Sequence, residues 1–206
     1  MMYILAIVVA LVMAFILQFI FNIPFALTVA ILALLFTIRA VYNFYMTYKC
    51  KDLHKLEKYL DKSPNTLNYY FFTQKSGNVE QQKIALDDVL KSYSSAIVQG
   101  QYKAQQAILD KNYQQAITQA KSIPNTVMRN ETLAFVEATV GKRSAAEQLA
   151  IGKPWFKHFI FAIVAYRGKD TKAFDSHKQQ CLKNCAGAQY FSNYYFLERL
   201  GEYVKK

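Results

Sequence analysis

His177, Cys181 and Cys185 recur at intervals of four residues. On a helix they put an imidazole and two thiols on one face, a donor set that suits a soft metal. At about 1.5 Å of rise per residue the first and last of them stand roughly 12 Å apart along the axis. One ion with ligand bonds of roughly 2.0 to 2.3 Å cannot reach both. A metal would need an adjacent pair and ligands from elsewhere, so buried reduced cysteines facing a neighbouring helix are the expectation and no metal is assigned. Other candidates for chemistry are sparser. A Ser or Cys nucleophile needs a base, and only His54, His158 and His177 are present, none within a recognisable local signature. Asp87-Asp88 is the single adjacent acidic pair, and consecutive helical residues diverge by about 100°, which suits a solvated face rather than a paired-carboxylate site. The seven Gly never approach within ten positions of one another, so no glycine-rich loop can cradle a phosphate. No catalytic residue and no cofactor is expected, and the chain reads as a non-enzyme.

The elements that carry these residues fall into two compositions. From Met1 to Tyr48 the only formal charge is Arg39, whereas the other 24 basic and all 14 acidic residues lie downstream with a balance of +10. Met1 to Phe21 is an apolar run that reaches roughly 30 Å as a helix, the thickness of a hydrocarbon core. Asn22-Ile23-Pro24 interrupts it, and a second apolar run begins at Phe25 and passes through Arg39 into Tyr42, Phe44, Tyr45 and Tyr48. Arg39 must snorkel while those rings sit at headgroup level. The reading is a two-helix transmembrane anchor over 1–48. A cleaved signal is disfavoured because no basic n-region and no small-x-small cleavage site are present. Lys49, Lys51, Lys55, Lys58 and Lys62 crowd the exit of the second span while the connector is uncharged, which predicts a multi-pass cell-membrane protein with both termini in the cytoplasm. Three Cys suit a reducing compartment.

Downstream, a juxtamembrane helix over 49–64 is followed by a domain over 65–206 in which no run shows sustained apolar and polar alternation. Helices are expected at Leu53 to Leu60, Leu67 to Gln74, Val79 to Tyr93, Ser95 to Leu109, Tyr113 to Ser122, Val127 to Thr139, Ser144 to Ala150, Trp155 to Tyr166, Thr171 to Asn184 and Gln189 to Val204. Lys62-Ser63-Pro64-Asn65-Thr66-Leu67 is echoed by Lys121-Ser122-Ile123-Pro124-Asn125-Thr126-Val127. Each reads as a helix stop and restart in which Asn or Thr caps the next helix. Turns at Gly77-Asn78, Asp110-Lys111-Asn112, Gly141-Lys142 and Gly168-Lys169-Asp170 follow one another at intervals of 27 to 34 residues, a helical-repeat period.

Asn112-Tyr113-Gln114-Gln115-Ala116 resembles the turn and second-helix start of the tetratricopeptide repeat family. Ala116, Ala146 and Ala173 each fall five residues after a turn position, and Ala104 and Ala134 stand twelve residues before the first two of them. Small residues there let helices approach closely. Phe161 breaks the pattern in the third case. The resemblance covers roughly Asn65 to Asn184 and implies an all-α fold: a transmembrane helical hairpin followed by a right-handed α-solenoid of tetratricopeptide-like hairpins. An irregular helical bundle stays open as the alternative. It also implies a partner-binding groove lined by first-helix side chains, here Gln101, Gln105, Glu131, His158 and Tyr166. The Lys, Arg and Asn set with which family members clamp a C-terminal carboxylate is missing.

The function expected from this is a membrane-anchored adaptor or scaffold that binds a protein partner at the cytoplasmic membrane face. Arg39, Lys49, Lys51, Lys55, Lys58 and Lys62 would lie at an anionic membrane surface. The alternatives are an accessory subunit of a larger membrane enzyme or transport complex, and a lipid- or nucleic-acid-binding membrane protein. Nucleic acid is not the preferred partner, because the Lys residues are scattered with no Arg-rich run. A homo-oligomer through the spans, or through Tyr190, Phe191, Tyr194, Tyr195 and Phe196 of the last helix, is a further alternative to simple packing of that helix on the preceding hairpin.

Overall fold

Helix starts in this chain are set by short polar side chains placed after each break. The Asn65 carboxamide oxygen accepts from the backbone N–H groups of Leu67 and Asn68 at 2.9 and 3.3 Å, and Asn125 accepts from Met128 at 2.9 Å. Asp52, Asn78, Asn112 and Asp170 do the same for their own helices, each satisfying donors that the first helical turn leaves orphaned. Two turns bend through left-handed residues that are not glycine, Lys111 (φ 58°) and Lys169 (φ 55°). In the turn at Gly168-Lys169-Asp170 the left-handed residue is thus the lysine, and Gly168 keeps φ −80°.

The computed structural model describes residues 12, 16–20, 24–63, 65–150 and 152–204. Among the described residues every regular element is helical. A short wide-helical turn spans Ile16–Ile20, followed by α1 (Phe25–Tyr48), α2 (Leu53–Asp61), α3 (Thr66–Thr73), α4 (Val79–Ser92) and α5 (Ala96–Leu109). Then come α6 (Tyr113–Lys121), α7 (Thr126–Val140), α8 (Arg143–Leu149), α9 (Pro154–Arg167), α10 (Thr171–Asn184) and α11 (Gly187–Val204). Each helix expected after Tyr48 is present with ends within two residues of those read from the periodicity. Most of the expected first span, Met1 to Phe21, and the Asn22-Ile23 connector lie outside the described residues.

The chain divides into two units, Met1–Met46 and Thr47–Lys206. In the first, α1 is long and apolar enough to cross a membrane: 24 residues, with a best-window mean hydropathy of 2.1. Nearly all of its large side chains are exposed, among them Phe25, Leu34, Phe36, Ile38, Val41 and Phe44.

The second unit is built by sequential pairing. Every helix from α3 to α10 packs on the next, and α5, α7 and α9 also pack each on the helix two places further along. Its core is a succession of local clusters instead of one central mass. Tyr70, Leu86, Val89 and Tyr102 join α3, α4 and α5, and Ala107, Ala116 and Val136 join α5, α6 and α7. Ala134, Ala146, Phe156 and Ile160 continue the series, and Ala162, Phe174, Cys181 and Leu197 close it against α11. Ala104, Ala116, Ala134 and Ala146 are fully buried, so the small residues stand where helices touch; Ala173 and Phe161 are only half-buried.

Two features differ from a simple open array. The helix expected as a separate juxtamembrane element is part of the second unit: α2 buries Leu56 and Leu60 completely and packs on α3 and α11. The last helix also returns to the beginning, because α11 packs on α2 and α3 as well as on α9 and α10. Arg199 donates to the Gln74 carbonyl at the end of α3, and burial holds its guanidinium below the ordinary pKa. Gly187 opens α11 in a left-handed conformation (φ 64°) and donates its N–H to the Cys50 carbonyl at 2.7 Å.

Candidate functional site

Because alternate helices lie side by side, they can contribute one face each to a shared space. The helices of the second unit line a partly open cavity of about 200 Å³. With one exception its walls come from the odd-numbered helices. Tyr70 and Gln74 represent α3, Gln101 and Gln105 represent α5, and Glu131 and Phe135 represent α7. Trp155 and Phe159 come from α9, and Gln189 and Asn193 from α11. Each pair is spaced i, i+4, the spacing that puts two side chains on one helical face a turn apart. The exception is Gln82 of α4.

The aromatic walls are ordered by ring contacts. Phe135 stacks on Phe159 with centroids 5.9 Å apart, and Phe196 meets both at 6.1 and 5.4 Å. Tyr70 and Tyr102 cross edge to face at 5.6 Å. The Tyr70 hydroxyl donates to Gln105 Oε1 at 2.6 Å, and burial pushes both tyrosines well above their ordinary pKa, so they stay neutral. Asn193 is satisfied, accepting from Gln189 at 2.7 Å and donating to Cys181 Sγ at 3.6 Å. Two polar groups are not. The Gln74 side-chain nitrogen faces the Tyr70 hydroxyl but is buried without a hydrogen bond of acceptable geometry. Among the described residues Glu131 is the only charged side chain in the walls, and burial raises its carboxyl pKa against the opposing pull of Lys153.

Of the five residues expected to line a groove, Gln101, Gln105 and Glu131 are therefore brought together and His158 and Tyr166 are not. His158 lies one residue before Phe159, about 100° round α9, and its Nδ1 is 3.1 Å from Nδ1 of His177 on α10. Tyr166 shares the azimuth of Trp155 but stands eleven residues on, roughly 16 Å further along the helix, where it packs against Phe174 and its neighbours. The ring-bearing walls and the contribution of α11 were not anticipated; the recurring i, i+4 pairs of amides and aromatics were the available signal.

His177 turns toward His158 and Phe161, while Cys181 takes a hydrogen bond from Asn193 and Cys185 sits beyond the helix end as its cap. His177 thus faces away from the two thiols, whereas Cys181 and Cys185 meet each other and share Asn193 in one buried cluster. Cys50, Cys181 and Cys185 are all buried and free. Among the described residues no group of three or more His, Cys, Asp or Glu gathers in a metal-binding arrangement. Arg39, Lys49, Lys51, Lys55, Lys58 and Lys62 are all exposed, with Lys51 donating to the Lys183 carbonyl at 2.6 Å. In α11, Phe191 is fully buried and Tyr190, Tyr194, Tyr195 and Phe196 are half-buried.

The histidine pair carries a pH prediction. Burial, and then the neighbouring His158, hold His177 below its ordinary value of 6.5, with Glu147 and Asp170 opposing. The folded state accordingly binds this proton less well than the unfolded chain, so the stability involved is fully present above about pH 6.5 and is lost as pH falls through the lower folded value. Chemical denaturation at pH 7.0 and 5.5 should show a larger loss of midpoint for the wild type than for His177→Gln. Equal losses would contradict the lowered value at His177.

No family model, no curated protein and no solved structure matches the chain.

Proposed function

We propose that the chain is a membrane-anchored helical-repeat adaptor whose odd-numbered helices present a binding surface to a protein partner at the cytoplasmic face of a cell membrane. The observation that carries this reading is the convergence of five helices, two apart in sequence, on one cavity while α6, α8 and α10 contribute nothing to its walls. That division of labour is expected of stacked helical hairpins, in which first helices form the inner layer and second helices the outer one. Fully buried alanines at 104, 116, 134 and 146 support the tetratricopeptide-like assignment, and the right-handed solenoid is the superhelix it implies. Gln101, Gln105 and Glu131 are the partner-binding residues of choice.

Anchoring is supported by α1. An apolar surface of this length, exposed along 24 residues, requires lipid or protein to cover it. Met1 to Phe21 supplies the second span by composition, and the Lys cluster from Lys49 to Lys62 sets the topology. Each exposed Lys adds about 1 kcal/mol of attraction to an anionic leaflet. Docking of the same exposed helix into a larger membrane complex is the second reading, favoured by the ring-rich stretch from Tyr42 to Tyr48. In either case alkaline carbonate should leave the intact protein in the membrane fraction, and a Cys introduced near Lys206 should resist impermeant thiol reagents on whole cells. Release by carbonate, or labelling from outside, would refute the topology.

A further inference from the structure

We propose that the cavity of the second unit binds a small organic cation, with Glu131 as its counter-charge and the rings of Trp155, Phe135 and Phe159 as its walls. Among the described residues Glu131 is the single charged group lining an otherwise neutral space of about 200 Å³. Among the described residues it has neither a hydrogen-bond donor nor an ion-pair partner, and Lys153 acts on it only at longer range. One contact and one ring pair place it in the cavity. A Cβ on Gly152, just before α9, would stand 3.5 Å from Glu131 Oε1, so the carboxylate lies beside the turn that leads into α9. One turn further on, Phe135 and Phe159 stack at 5.9 Å. The carboxylate and the indole therefore line the same cavity, each one helical turn from a residue of the stacked pair of rings.

Aromatic faces attract cations through their quadrupoles, and the attraction grows when water is excluded. A half-buried carboxylate destabilised by burial gains most from a counter-ion that brings little hydration with it, which favours an alkylammonium over a metal ion. The chemistry is thus an ammonium or guanidinium on a short apolar stem. A free amine supplies it without any protein partner, so the site does not depend on the adaptor reading. A Lys or Arg side chain of a docked segment supplies it only if that reading holds.

Trp155 is the only tryptophan of the chain, so intrinsic fluorescence of the full-length protein in mild detergent reports on the cavity directly. Titration with choline, n-butylammonium and N-acetyl-lysinamide should give a saturable change for at least one cation. The response should be about tenfold or more tighter than for 3,3-dimethyl-1-butanol, the neutral isostere of choline. Glu131→Gln, with an unchanged circular dichroism spectrum, should abolish that preference. Saturation by choline or butylammonium identifies a free amine as the ligand, and saturation by the lysine amide alone identifies a basic side chain. The proposal is overturned if the neutral isostere binds as tightly as every cation, if Glu131→Gln binds the cation unchanged, or if no cation perturbs Trp155 up to roughly 10 mM. The isostere comparison uses the wild type alone and does not depend on how the variant folds.

Discussion

Gly187→Ala should be the most damaging single-atom change in the second unit, costing about 3 kcal/mol or more as left-handed strain and steric overlap combine. The residue holds φ 64°, which L side chains adopt at a cost of about 1 to 2 kcal/mol. A Cβ there would overlap the Thr47 carbonyl and come within 2.7 Å of the Tyr48 nitrogen. Both obstacles are backbone, so no rotamer change relieves them. The N–H bond to the Cys50 carbonyl would be lost if the chain moved aside, and α11 would lose its fixed start. In a unit of this size such a loss should lower the melting temperature by roughly 6 to 12 °C. Calorimetry or thermal denaturation followed at 222 nm measures it. Gly141→Ala is the control, since its left-handed Cβ (φ 92°) would meet nothing within 4 Å and should cost only the conformational part.

Ala116→Trp and Ala146→Trp should each destabilise by about 1 to 3 kcal/mol or more through overpacking. Both alanines are fully buried, Ala116 against Ala107 and Val136 and Ala146 beside Ala134, Phe156 and Ile160. An indole cannot be accommodated there without separating helices. The two sites lie in different local clusters, so their effects should add in the double variant. Ala173→Trp, at a half-buried position, should be milder. Unchanged melting for Ala116→Trp and Ala146→Trp would remove the close-contact basis of the tetratricopeptide-like reading.

How much of this was legible in the sequence follows from the range over which each feature is determined. Helix existence and ends are local: Asn65, Asn125, Asn112 and Asp170 cap the turns that follow them, and each cap involves only residues within three positions. The tetratricopeptide-like resemblance implies Gln101, Gln105 and Glu131 as first-helix groove residues, and helical azimuth, also local, keeps Gln101 and Gln105 on one face. What failed depends on axial position and on distant helices. Tyr166 has the right azimuth but lies past the cavity, and His158 meets a partner on α10 that periodicity alone cannot bring to it. The return of α11 to α2 and α3 joins residues more than a hundred positions apart, as in the Arg199 to Gln74 bond. The glycine that permits it, Gly187, carries no local turn signature that sets it apart from the other six.

The adaptor account is tested most directly by affinity isolation of the tagged full-length protein from mild-detergent extracts, with the wild type compared with two variants. The cavity variant is Gln105→Ala with Glu131→Ala, and the surface variant is Lys55→Glu with Lys58→Glu and Lys62→Glu. Exposed charges are screened beyond about 8 Å at physiological ionic strength, so contacts made only by the Lys cluster should be lost at high salt. The account predicts a protein that co-purifies with the wild type and the surface variant at high salt and disappears from the cavity variant. It is contradicted if the cavity variant retains every co-purifying protein while charge reversal at Lys55, Lys58 and Lys62 removes them all.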